Sequence, residues 1–561
     1  MGGLLLPEVS FLKPSYFRFL RFFSLFLLGI SAVGLILVPN PLSTPETANH
    51  SPSPIPHTDV NPLGANFFLD REVELWKREQ TLKMAKEAGI GWVKMLFSWD
   101  SIEPRNGQFW DDHYKVSTWE KYDQIVDLCQ QYGLRIIARL DRAPDWAHQD
   151  NSLKAGPPAD FDDYGDFVYA VVSRYKGRVQ HYQIWNEPNI WPEWGDQPVD
   201  PEGYVQLLKI AYQRAKEADP NCLILSAPLA QTLEKTPHNL SELDYLDAMY
   251  KAGAKNYFDI LSANGYGFDR SPSDPPDPEV LNFARVKLVR QVMERYGDAE
   301  KAVWLNEFGW NAAPEDYPPE KLYWRRVSEE QQAQYTYEGI ELARSWGWIG
   351  VINLWYFRQV GDILSQESSA YYFRIVDVDF TPRLAYYRLQ ELSAGLKVAS
   401  PGYHEETSPA VETEGRWMSL LQSDASGGVL ITSDRPGDSL TFTFEGTDVD
   451  LLYQGNRLSG RLEISIDEGQ PSKGEYVDLF IAEEGKGVLR QKVAGGLRPG
   501  RHTLKLTIAS QNNPQSGGRW CAIDAFEVRN EPLLWPFYGL AGLMFLAIAS
   551  LASSFFLGRS R

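Results

Sequence analysis

The chain has 561 residues, 43% hydrophobic and 23% charged, with a net charge of −19. That length is too great for one hydrophobic core and implies two or more domains. The acidic balance argues against nucleic acid, or an anionic lipid surface, as a partner of the folded middle. Aromatic residues reach 13%, with 18 tryptophans, a composition that suits sugar ligands. The three cysteines, Cys129, Cys222 and Cys521, form neither a metal motif nor a disulfide framework and read as buried thiols.

In chain order, residues 1–21 are basic at Lys13, Arg18 and Arg21 and precede an almost wholly apolar run at 22–38. That run is a transmembrane anchor or a signal peptide. The lack of a clean small-x-small site beside it favours the anchor. Residues 39–62 are rich in Pro, Ser and Thr and read as a linker. A second apolar run at 533–557, followed by Arg559 and Arg561, is long enough to span a bilayer. Basic residues outside each segment place both termini in the cytoplasm, with the middle of the chain facing the outside of a cell membrane.

From 63 to 398, short apolar runs alternate with stripes of helical period. Tyr164, Phe167, Val168, Val171, Val172 and Tyr175 make one such stripe; Tyr204, Leu207, Leu208, Ala211 and Ala215 make another. Eight runs and eight stripes in strict alternation predict an α/β fold, a (β/α)8 TIM barrel. A doubly wound sheet would call for a glycine-rich phosphate loop after the first strand, and "NFFLDREVELW" has none. From 405 to 530 the period becomes two, as at Leu440, Phe442 and Phe444, which predicts an all-β sandwich or jelly roll. Trp417, Tyr453 and Trp520 are its candidate sugar-stacking rings, or else core.

Chemistry in a TIM barrel gathers at the C-terminal strand ends. The predicted ends carry Trp99 and Asp100 (second strand), Asn186 and Glu187 (fourth), Asn264 and Tyr266 (sixth), Asn306 and Glu307 (seventh) and Trp355 (eighth). Two glutamates therefore face one mouth. Glycoside hydrolysis requires such a pair: one acid to protonate the leaving oxygen, one carboxylate to attack or to activate water. Trp191 and Trp194, on the loop after the fourth strand, either stack on sugar or pack the loop. Asp141, Arg142 and Trp146 follow the third strand and either line the cleft or pair among themselves. Glu103 shapes its own loop.

"WNEPN" (185–189), "NEFGW" (306–310) and "WDSIEPRNGQFW" (99–110) give residues 63–398 a resemblance to clan A of the glycoside hydrolases, retaining TIM-barrel glycosidases, nearest to its family 39 or family 5 type. The resemblance implies Glu187 as general acid/base and Glu307 as nucleophile. It implies Asn186 on the sugar 2-hydroxyl, Tyr266 against the nucleophile and Trp355 as the subsite floor. Trp191, Trp194, Asn264 and Trp99 complete the candidate substrate contacts. No cofactor and no metal is implied. The partners are an oligo- or polysaccharide and, through the terminal helices, a membrane. Two departures stand out: Lys94 occupies a place where many members carry Arg, and Asn264 one where many carry His. Lys lacks the planar fork of Arg. The competing readings are a non-catalytic carbohydrate-binding or cell-envelope protein on the same barrel, and a transglycosylase using the same residues.

Overall fold

In the computed structural model, which describes residues 22–26, 28, 55–148, 155–422, 425–467, 476–482, 488–530 and 534–559, the eight apolar runs pair as parallel strands. They are β1 (Leu63–Asn66), β2 (Trp92–Ser98), β3 (Arg135–Asp141), β4 (His181–Ile184), β5 (Leu223–Leu225), β6 (Leu261–Tyr266), β7 (Val303–Gly309) and β8 (Ile349–Leu354). Their order around the sheet is β5-β4-β3-β2-β1-β8-β7-β6. The ring closes between β5 and β6 through a parallel bridge from Leu225 to Ile260. There the Ser226 N–H donates to the Ile260 carbonyl at 3.2 Å.

A helix follows each strand: α1 (Leu75–Glu87), α2 (Trp119–Gln131), α3 (Phe161–Tyr175), α4 (Pro201–Ala218), α5 (Glu242–Lys251), α6 (Val286–Arg295), α7 (Glu329–Arg344) and α8 (Leu384–Leu396). Local chemistry starts several of them. The Asp160, Asp200 and Ser241 side chains accept backbone N–H groups at the starts of α3, α4 and α5. Ser328 and Gln331 form a capping box on α7. The predicted α3 stripe is buried throughout, so it is the face laid on the barrel. The strands are buried on both faces, which is why they read as apolar runs rather than as an alternation.

The sandwich forms two antiparallel sheets. One runs Met418–Leu421, Val429–Ser433, Cys521–Arg529, Asp448–Gln454, Leu489–Ala494, with Gly402–Glu405 also paired to Cys521–Arg529. The other runs Val411–Glu414, Ser439–Glu445, Arg501–Ile508, Arg461–Ile466, Tyr476–Asp478. Phe442 stacks on Phe526 across the core at 4.3 Å. Of the three candidate sugar-stacking rings, Tyr453 is buried and Trp417 and Trp520 are half-buried. The Trp417 indole N–H is spent on the Ser439 carbonyl at 3.1 Å.

This second domain closes the N-terminal end of the barrel. Gln180, just before β4, donates to the Ser419 carbonyl at 3.2 Å. Asp59, before β1, accepts from the Glu405 N–H at 2.8 Å. A cavity of about 30 Å³ at the seam is lined by His57, Arg135, His181, Glu405 and Glu406, among others. Burial pushes the Glu405 carboxyl up to about 8 and the His57 imidazole down to about 4. The seam thus holds groups in their neutral forms.

Among the described residues no helix is long and apolar enough to cross a membrane. The expected N-terminal segment at 22–38 lies outside the described residues except for 22–26 and 28. The expected C-terminal span falls on the helix Leu534–Arg559, whose described side chains run over 539–552. Ser24 donates to Ser550 at 3.0 Å, joining the two terminal segments.

Candidate active site

The strand β4 ends on a short stretch of unusual backbone. Trp185 and Glu187 both lie in the left-handed region, at φ 69° and 35°. Non-glycine residues there cost about 1–3 kcal/mol each and persist where the surroundings over-determine them. Those surroundings are visible. The Trp185 N–H donates to the Leu140 carbonyl at 3.1 Å and the Glu187 N–H to the Pro228 carbonyl at 3.1 Å. The Trp185 ring is buried against Tyr164, with centroids 5.5 Å apart. The reversal aims Glu187 into the mouth of the barrel.

Opposite, on β7, Glu307 accepts from the Tyr266 hydroxyl at 2.7 Å, and its second oxygen lies 3.7 Å from Lys94 Nζ. Asn264 on β6 pairs in register with Glu307 and donates its amide to Glu187 at 2.6 Å. It is therefore the link between the two acids. Lys94 is fully buried and donates to Asn66 Oδ1 at 2.9 Å. The Asn66 amide is anchored in turn on the Asn306 and Leu354 carbonyls at 3.0 and 3.1 Å.

The electrostatics act strongly on Glu187. Burial, then the neighbouring Glu307 and Glu193 carboxylates, hold the Glu187 carboxyl well above the usual range, against the pull of Arg139 and Lys94. The same burial brings Lys94 down to about 8, although Glu307 and Glu187 favour its charge. Glu187, with its raised carboxyl, and Glu307, facing the Lys94 amine, share one cavity.

The cleft they open into measures about 800 Å³. Its walls include Phe68, Phe268, Trp324 and Trp355, and Tyr323 stands on its rim, 80% exposed. Four polar side chains at the mouth keep buried atoms without a partner: Asn186 Oδ1, Asn264 Oδ1, both amide atoms of Asn306, and Trp355 Nε1. Unsatisfied groups gathered at one place mark where a polar ligand belongs.

Most of the sequence-derived candidates meet here. Glu187, Glu307, Asn186, Tyr266, Trp355 and Trp191 all line the cleft. Asn264 reaches it through Glu187, with its amide already engaged. Two candidates belong elsewhere. Trp99 is fully buried in the layer between barrel and α3, 5.3 Å from Phe167, with its N–H on Glu103 at 2.7 Å. The chain turns outward after β2 into the one-turn helix Trp99–Ile102, which points the ring away from the mouth. Trp194 is buried against Trp185 and Tyr204, so it packs the loop, and Trp191 alone of the pair is exposed to the cleft.

Asp141 pairs with Arg139 at 2.5 Å while Arg142 lines the cleft. Trp146 packs on Trp99 at 5.6 Å, and Glu103 accepts from the Gly107 N–H at 2.7 Å, shaping its loop. The residues missed in the sequence are Asn66, Phe68, Arg139, Glu193, Phe268, Tyr323 and Trp324. Of these, "NFF" after β1 carried a signal, since an amide and two rings at a strand's C-terminal end suit a mouth. Among the described residues no group of three or more His, Cys, Asp or Glu side chains is arranged to hold a metal ion.

No family model matches the chain. A curated relative, the beta-glucosidase-like SFR2, chloroplastic, of Oryza sativa subsp. japonica, is 27% identical over 128 residues. The match spans 22% of this chain and only 18% of that protein's length. Among solved structures, the chain is similar to a family 39 glycoside hydrolase from Bacteroides cellulosilyticus WH2 (TM-score 0.45, 17% identity, covering 80% of this chain and 81% of that one). It is also similar to an exo-beta-1,4-mannosidase from Opitutaceae bacterium strain TAV5 (TM-score 0.45, 17% identity, 62% of each chain). A monomeric beta-xylosidase from Caulobacter crescentus CB15 has a TM-score of 0.43 and 13% identity, covering 81% of this chain and 97% of that one. These overlaps are loose, and the barrel is established by its own strand pairing.

Proposed function

We propose that the chain is a retaining glycoside hydrolase that cleaves an O-glycosidic bond of an oligo- or polysaccharide outside the cytoplasm. The observation that carries the reading is the pair Glu187 and Glu307: Glu187, half-buried just past the end of β4, accepts from the Asn264 amide, and Glu307, buried on β7 beside Asn264, faces Lys94 and Tyr266. Glu307 attacks the anomeric carbon while Glu187 passes its proton to the leaving oxygen. Glu187 then takes a proton from water, whose oxygen attacks the anomeric carbon and breaks its bond to Glu307, so that the sugar leaves and both carboxyls return to their starting states. Lys94 and Tyr266 hold the Glu307 carboxylate in line for attack and receive it again when the sugar leaves. The partnerless atoms of Asn186 and Trp355, both of which line the cleft, are the hydrogen-bonding groups offered to the sugar. The cleft volume of about 800 Å³ suits a ligand of several rings.

The test is trapping with a panel of fluorinated glycosides, read by peptide mapping, together with the anomeric outcome by NMR. The reading expects the label on Glu307 and retention, as for carboxyls about 5–5.5 Å apart. Inversion would replace the double displacement by direct attack of water, and no label with no turnover across the panel would leave the non-catalytic binding protein in its place.

The chain is further proposed to be tethered by both ends to a cell membrane, with barrel and sandwich outside. The apolar runs at 22–38 and 533–557, their basic flanks and the bond between Ser24 and Ser550 support this. Protease added to intact cells should then degrade the 55–530 portion. Protection of that portion with both termini cleaved would reverse the orientation.

A further inference from the structure

The seam at the closed end of the barrel gathers four carboxyl groups from both domains. Asp59 precedes β1, Glu405 and Glu406 end the sandwich strand Gly402–Glu405, and Asp524 lies on the strand Cys521–Arg529. Short contacts tie them together. Asp59 Oδ2 accepts from the Glu405 N–H at 2.8 Å. Ser426 joins two others: its hydroxyl donates to Glu405 Oε1 at 2.7 Å and its N–H to Asp524 Oδ1 at 2.9 Å. The Glu406 N–H donates to the Asp524 carbonyl at 3.1 Å. Glu405, Glu406 and Asp524 are only 5%, 3% and 1% exposed. Glu405 and Glu406 line the seam cavity, and Glu405 Oε2 and Glu406 Oε1 are buried with no donor among the described residues. An ionised carboxyl is costly in such a place, and a protonated one much less so.

Few cations face these acids. Arg135, at the start of β3, faces Glu406. His404 and Arg344 face Asp59, with His404 Nδ1 3.9 Å from Asp59 Oδ2. The other neighbours are acids: Glu405 meets Asp524 and Asp59, and Glu406 meets Glu405 and Asp524. The Tyr403 phenol faces Glu405 and Asp524, with Arg490 beside it. His57 and His181 complete the barrel side of the cavity, and burial disfavours the cation of each.

We propose that this four-acid seam is a pH-sensitive latch between barrel and sandwich, closed while the carboxyls keep their protons and released as they lose them. Burial holds the Glu405 carboxyl up to about 8 and that of Asp524 up to about 7, and it raises Glu406 and Asp59 as well. Neighbouring acids push Glu405 and Glu406 further the same way. Opening returns these groups to water and to the ordinary carboxyl range. The closed seam therefore binds more protons than the open one, and its stability falls as pH rises from that range through about 8. His57, which faces Asp259 and Lys216 and is pushed down to about 4, acts in the opposite sense, and only in acid. Release leaves each domain its own hydrophobic core, because the two cores are separate. The latch lies at the opposite end of the barrel from the cleft and does not depend on the glycosidase reading.

The experiment is hydrogen–deuterium exchange, read by mass spectrometry and corrected for the intrinsic rate, on the full-length wild type and on the double variant Glu405→Gln, Asp524→Asn. The amides keep the shape of the protonated acids and cannot ionise. In the wild type, protection of segments 55–62 and 402–408 is expected to fall on the order of tenfold or more between about pH 6 and about pH 9. The barrel strand β2 and the sandwich strand Ser439–Glu445 should keep their protection over the same range. The double variant should hold the seam segments protected throughout. The single variant Glu405→Gln should remove part of the fall, and it carries the test if the double variant does not fold. Wild-type seam protection that is flat with pH would overturn the inference. So would a fall of equal size in the amide variants, or a loss that strikes both cores together, which is global unfolding.

Discussion

Replacing Glu307 by glutamine is expected to lower kcat/KM by on the order of 10⁴-fold or more on every glycoside the wild type accepts, a loss of at least about 5 kcal/mol of transition-state stabilisation. Glutamine keeps the shape and removes the attacking oxygen. The effect should be uniform across leaving groups, because without a nucleophile no glycosyl-enzyme forms. A second consequence lies in Lys94. In the native site this fully buried ammonium faces Glu307 at 3.7 Å. Deprived of that carboxylate it is a buried cation with an amide for company, and such a group gives up its proton. The variant should therefore still fold, with the Lys94 amine driven below its native value of about 8. Steady-state rates and a thermal melt check both points. A variant that keeps more than a tenth of wild-type activity would remove Glu307 from the reaction.

Replacing Glu187 by glutamine should produce a loss that depends on the leaving group. Sugars and alkyl alcohols need the proton from Glu187, so their cleavage should fall by about 10²–10⁴-fold. Activated aryl groups leave without it, so the first step is spared and the glycosyl-enzyme accumulates as a burst. Azide, which needs no general base, should then restore turnover and give a glycosyl azide of retained configuration. The pH profile carries the same information. Glu187 is held well above the usual carboxyl range by burial and by Glu307, which favours its acid form. Activity is lost as pH rises through that raised value, and the basic limb should disappear on aryl substrates in the variant. An equal loss for all leaving groups, with the limb unchanged, would make Glu187 a structural residue.

The barrel was legible because its strands are buried on both faces and its helices on one, so the two periods differ plainly along the chain. Glu187 and Glu307 were legible for the same reason: strand ends fix the height of a side chain at the mouth. Trp99 and Trp194 were not, because position at a strand end does not fix the direction of a ring. Trp99 turns out with a one-turn helix, and Trp194 folds back on Tyr204. Tyr323 and Trp324 sit on the long loop before α7, where no period exists to be read. The link from Arg139 to Glu193, with Nη2 3.9 Å from Oε2, could have been foreseen in part. Arg139 and Asp141 alternate on β3 with the buried Ala138 and Leu140, which puts both charges on one face of the strand. What that face meets is decided by a loop from another strand. The N-terminal apolar run falls largely outside the described residues, and the reading of both runs as membrane segments rests on composition.

The seam below the barrel has a mechanical consequence. Asp59, where the chain enters the barrel, is bonded to Glu405, and Glu405 pairs with Ala525 on the last strand of the sandwich. Entry and exit thus meet on the closed end, while the cleft opens at the other. Anything that grips the chain by its two ends holds it as a cup is held by its stem, rim outward. Two points of attachment resist swivelling better than one, so such a grip would fix the direction in which the cleft opens.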